Sequence, residues 1–167
     1  MDENREADAI DRQDAHPRAA EILTDDFFWQ MHDEGAPLGT EIGRETLELY
    51  RAWRADHPRE SALTLLGDLL RRWEVVDANW DTVDIAEVQA VGEDDEWSLL
   101  TRDDVILALA FAELVDEGTI DPEVRRRAVL ATFRQELPTL LIVWGDRTLE
   151  RAKRLVRMRE VLSRLLH

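Results

Sequence analysis

Four histidines and thirty-seven acids are the residues in this chain with side chains suited to acid–base or metal chemistry; cysteine is absent. One stretch concentrates them. Asp25 and Asp26 precede Phe27-Phe28-Trp29, and His32, Asp33 and Glu34 follow at once. A hard cation seeks several carboxylate oxygens, and this segment could supply them, with Asp25, Asp26 and His32 the first candidates. The alternating ligand spacing of a calcium loop is missing, and no HxH, HExxH or HxxxH spacing occurs, so no zinc signature is present. The structural alternative gives the same residues duller work. Asp25 and Asp26 would favour a helix N-terminus through its dipole, and Asp33 and Glu34 would be solvated loop residues. No metal ligand set and no cofactor are therefore assigned.

Other chemistry fares less well. ETLE at 45–48 and ELVD at 113–116 place acids at i, i+3 on two expected helices, as in magnesium-dependent all-α hydrolases. Yet 37 acids in 167 residues give about eight such pairs by chance. No serine sits in a Gly-x-Ser-x-Gly elbow, and no glycine loop precedes a lysine, so neither a hydrolase nucleophile nor a phosphate cradle is indicated. No catalytic residue is assigned, and the balance leans away from an enzyme.

Elements must position whatever the segment does, and helix signals dominate. Pro17 suits a first helical turn. Thr40 can cap a helix to about Ala55 with Ile42, Thr46, Leu49, Tyr50 and Trp53 on one side, and the Pro58 that follows His57 stops it. Ser61 caps a helix with the stripe Leu63, Leu66, Leu70 and Trp73. Residues 76–100 read as irregular structure with a brief helix. Thr101-Arg-Asp-Asp104 then resembles a capping pattern before an apolar helix ended by Gly118. Asp121 and Pro122 open the next helix, with Pro138 expected to kink it before Gly145. Asp146 is expected to cap the last, whose buried face would carry Leu149, Ala152, Leu155, Val156, Leu162 and Leu165. The expected fold is an all-α, single-domain bundle of about six or seven helices over residues 15–167, after a disordered acidic tail at 1–14.

A formal charge of −16 repels phosphate backbones and anionic lipid, which argues against nucleic acid and membrane surfaces and suits a basic protein partner. The basic residues, all but one of them Arg, gather after residue 120, where they can pair with the acidic remainder of the chain. No apolar run is long enough for a membrane span. The start MDENREADAIDRQDA lacks a basic and then hydrophobic leader, so a cytoplasmic address is expected. Most of the six tryptophans should fill gaps between helices. Trp80 and Trp97, in the irregular segment, are the ones expected to anchor a partner, because Trp is enriched at interface hot spots.

HPRAAEILTDDFFWQMHDEGAPLGTEIGRETLELYRAWR, residues 16–54, resembles the start of the YfeS-like family of small bacterial proteins. The family pattern is His-Pro-Arg-Ala, an acidic FFW, DE-x-AP-[FL]-G and a helix ending in WR. Residues 100–128, LTRDDVILALAFAELVDEGTIDPEVRRRA, resemble its second block. This chain departs from the pattern after Gly39, where Thr40 and Glu41 stand in place of a small polar residue and Asp. The resemblance implies no activity and no catalytic residues. By analogy with small acidic immunity proteins, the expected function is a non-enzymatic interaction module holding a basic partner, with His32, Asp33, Glu34, Trp80 and Trp97 as its binding residues. The alternative is a small metal-binding protein or metal-dependent hydrolase using the Asp25–Glu34 cluster.

Overall fold

The computed structural model describes residues 10–75 and 82–165, except for the side chain of Asp94. These residues hold seven α-helices and no strand, the expected all-α single-domain bundle. The helices are α1 (Pro17–Ile22), α2 (Glu41–Asp56), α3 (Ala62–Arg72), α4 (Ile85–Glu117), α5 (Pro122–Gln135), α6 (Pro138–Leu141) and α7 (Thr148–Arg164). Two 3-10 stretches, Asp26–Trp29 and Ile142–Arg147, serve as corners.

The bundle is built round α4. From Val105 to Val115 its aliphatic and aromatic side chains are all buried, as expected of a helix apolar on every side. Around it pack α1, α2, α3 and α5, while α7 lies against α5 and the second 3-10 corner. Caps fix the ends as the residue types dictate. Thr40 Oγ1 accepts from Gly43 N–H at 2.8 Å, and Ser61 Oγ accepts from Leu63 N–H at 3.2 Å, each the kind of contact that stabilises by about 1 kcal/mol. Asp121 accepts from Glu123 and Val124 N–H while also receiving the Ser61 hydroxyl at 2.5 Å, so one carboxylate ties the starts of α3 and α5 together. Gly118 closes α4 at φ 73°, a conformation only glycine adopts cheaply.

Several expectations change. Residues 85–94 are helical, and the break lies at Asp95 (φ −158°, ψ 78°). Its carboxylate accepts from Ser98 N–H at 3.0 Å and from Ser98 Oγ at 2.5 Å. Asp95 is thus the cap of the apolar helix, and the TRDD stretch at 101–104 is a turn inside it, with Thr101, Arg102 and Asp103 buried. Pro138 does not kink a continuous helix: α5 ends at Gln135 and Pro138 opens α6, where its missing N–H is not needed. Asp146 is exposed and caps nothing. The chain enters α7 straight from a 3-10 stretch, whose Gly145 carbonyl already takes the Thr148 N–H. The buried stripe of α7 is Arg151, Leu155, Met158 and Leu162 with Val161, whereas Leu149 and Val156 are exposed. An arginine occupies the stripe, which rotates the face away from the one the aliphatic residues alone suggest. Of the expected tail, residues 1–9 lie outside the described residues, and Ile10 is buried with its N–H on the Trp29 carbonyl at 2.8 Å.

Candidate functional site

The segment that opened the question folds as a tight corner against α7. Phe28 and Trp29 are buried, Phe28 stacks on Phe111 of α4 at 5.4 Å, and Trp29 Nε1 donates to the Leu23 carbonyl at 2.8 Å. The loop then winds so closely that a Cβ on Gly39 would collide with the backbone carbonyls of Asp33 and Gln30. Arg44 Nη1 clamps it from α2, donating to the carbonyls of Met31 at 2.6 Å and Gly39 at 2.7 Å.

The carboxylates of this segment are matched with guanidinium groups. Asp25 accepts from Arg157 Nε at 3.1 Å, Asp26 from Arg12 at 2.5 Å, and Asp33 from Arg154 and from Gly35 N–H at 2.8 Å. Burial works against the Asp33 carboxylate, but the Arg154 and Gly35 hydrogen bonds and the charges of Arg154 and Arg147 hold its pKa below the ordinary value. No group of three or more possible ligands among the described residues could hold a metal ion. The C-terminal arginines thus meet the acidic N-terminal corner inside one molecule, as the charge asymmetry suggests.

His32 and Glu34 stand at the edge of that corner, both exposed. They are shared by two open depressions. One, about 500 Å³, is completed by Gln30, Asp33 and Arg147. The other, about 530 Å³, runs past Thr40, Glu41 and Arg44 to Asp104 of α4 and Trp144 of the 3-10 corner. Beneath the second lies a slot of about 10 Å³, room for one water-sized atom, lined in part by Glu34, Thr40, Asp104, Arg151 and Met158. Arg151 is 4% exposed, its guanidinium lies 4.6 Å from the centre of the Trp144 ring, and its Nε has no hydrogen-bond partner. Asp104, half-buried, is pushed by burial up to about 6 against the pull of Arg151, with the charge of Asp103 adding to the rise.

A different surface lies on the other side of the 142–147 corner. The first part of α4 packs on α6 through a small separate core of Val88, Leu99 and Leu140. Above it opens a groove of about 580 Å³. Val88 and Leu140 line it, Ile142 and Val143 flank it with Ile142 73% exposed, and Glu93 and Glu96 add charge. Trp97, the next residue along α4, is 55% exposed.

Of the residues singled out from sequence, His32, Asp33 and Glu34 share one depression, Trp97 is exposed elsewhere, and Trp80 lies outside the described residues. Sequence reasoning missed Asp104, Arg151, Trp144 and the Ile142–Val143 wall. A signal existed for the first two: adjacent acids inside an apolar helix, and an arginine at i, i+4, i+7 spacing with Leu155 and Met158, demand buried partners. Compared with protein-family models, curated proteins and solved structures, the chain matches none.

Proposed function

We propose that this protein is a non-enzymatic interaction module that holds a basic segment of a partner protein, and that the groove between α4 and the 142–143 wall receives it. The observation that carries the reading is the pairing of exposed aliphatic side chains, Ile142 and Val143, with Glu93 and Glu96 along one groove. Apolar side chains gathered in a groove and rimmed by polar residues are the arrangement that interaction sites use. Carboxylates lining it select against acidic partners and speed encounter with basic ones, in keeping with a net charge of −16. Trp97, exposed on the same helix though not among the residues lining the groove, is an aromatic of the kind found at interface hot spots. Kinship with the YfeS-like proteins, suggested by residues 16–54 and 100–128, is a companion proposal and brings no activity with it. The engagement of Asp25, Asp26 and Asp33 by arginines leaves a metal-dependent hydrolase at that corner without support in the geometry.

The test is cross-linking and co-purification from the native cell, comparing the wild type with the double variant I142D/V143S. A stoichiometric basic protein, released by salt and lost from the variant, is the expected result. A partner retained equally by the variant would remove the groove from the proposal. Recovery of no stoichiometric protein under cross-linking would count against the module itself.

A further inference from the structure

The opposite side of the 142–147 corner carries a second, smaller kind of site. Arg151 is buried without a hydrogen-bond acceptor at Nε, and a buried donor left unmade costs about 1–3 kcal/mol. Such a group calls for an explanation, an ordered water or a bound ligand group among them. The slot beside it is too small for more than one atom the size of water, but its lining residues Glu34, Thr40 and Asp104 also line the 530 Å³ depression above. That volume is within the usual range for small-molecule sites. A ligand oxygen can therefore sit in the slot while the rest of the ligand occupies the depression.

The chemistry of the lining selects the ligand. An acceptor is needed at Arg151, and an anionic one pairs best with a guanidinium. Thr40 Oγ1 accepts from Gly43 N–H, which leaves its own proton to donate. A simple anion is disfavoured because Asp104, Glu34 and Glu41 surround the same space. A simple cation would satisfy those carboxylates and leave Arg151 unmade. Only a molecule bearing both charges answers both demands, and three carboxylates, Glu34, Glu41 and Asp104, against two arginines, Arg151 and an Arg44 already donating to the Met31 and Gly39 carbonyls, call for one excess positive charge. We propose that this cleft binds a basic α-amino acid, its carboxylate on Arg151, its α-ammonium on Asp104 and its side-chain cation at the mouth between Glu34 and Glu41.

Calorimetric titration of the full chain with L-arginine and L-lysine tests this, with agmatine, which lacks the carboxylate, and glycine, which lacks the second cation, as comparison ligands. Saturable binding of the basic amino acids, weakened about tenfold or more in agmatine and in glycine, is the expected result. Arg151→Met should abolish it, with the fold checked by circular dichroism. Should that variant fail to fold, the exposed double variant E34Q/E41Q remains, which should weaken L-arginine about tenfold while leaving glycine unchanged. No heat of binding at millimolar ligand, agmatine binding as tightly as arginine, or full affinity in both variants would each overturn the proposal and leave the slot to a single water.

Discussion

Asp103 and Asp104 are neighbours on the central helix, and each faces an arginine from the C-terminal part of the chain. Asp103 is fully buried against Arg134, itself 1% exposed. Arg134 donates from Nε to both carboxylate oxygens at 3.1 Å, from Nη2 at 2.5 Å, and from Nη1 to the Thr82 carbonyl at 2.9 Å. Gln135 adds a third donor to Asp103 at 2.6 Å. Desolvating both charges is offset by near-complete hydrogen bonding, the condition under which a buried pair is tolerable. Asp104 has no such cage. It borders a cleft, its arginine lacks an acceptor at Nε, and burial raises its pKa to about 6. One residue of rotation about a helix separates a finished polar network from an open one. The finished network locks α4 to α5, and the open one faces solvent-accessible space where a ligand can complete it.

The contrast can be broken most forcefully at the finished pair. Arg134→Met leaves Asp103 buried with no cation, which should destabilise by about 3–5 kcal/mol. Urea denaturation at neutral pH measures this directly. A loss under about 1 kcal/mol would mean that the cage does not hold α4 to α5, and the contrast would fail.

Neither pair can be read from the sequence alone, although much of the scaffold around them can. Helix number, the caps at Thr40, Ser61 and Asp121, and the stop at Gly118 follow from local residue chemistry, and each is found where the sequence places it. The polar core is non-local: nothing near Asp103 in the chain names Arg134, thirty-one residues away. Local rules also mislead where two readings compete. Thr101 to Asp104 fit a helix start as well as Asp95 to Ser98 do, and tertiary burial rather than capping propensity decides between them. The His32–Glu34 corner was visible from composition, but its neighbours Asp104 and Trp144 are brought to it only by packing.

At the open pair the expected effect is smaller and depends on pH. Asp104 has a folded-state pKa raised from 3.8 to about 6, with Arg151 and Asp103 as the charged groups facing it. The native state therefore holds a proton that the unfolded chain has lost between those values. Stability from this group is full below about pH 4 and declines as pH rises through about 6. Asp104→Asn removes the decline, so the variant should match the wild type near pH 4 and exceed it by about 1–2 kcal/mol at pH 8, after allowance for partial solvent exposure. Parallel stability–pH curves for the two proteins would show that Asp104 titrates normally.

The smallest effect is expected where a naive reading anticipates a large one, at Arg151. It is as buried as a core leucine and stacks on Trp144, so its loss looks severe by analogy with Arg134. But the energy of a buried arginine resides mainly in its hydrogen bonds, and here Nε has none. At pH 5, where Asp104 is largely protonated, Arg151→Met removes a desolvated charge and an unmet donor together and keeps an unbranched apolar stem of similar reach in the stripe with Leu155 and Met158. The net change should lie within about 1 kcal/mol of zero. At pH 8 the ionised Asp104 loses its nearest cation, and the variant should fall behind the wild type. A pH-independent loss of about 3 kcal/mol or more would instead place Arg151 with Arg134, as a strut whose cleft is incidental.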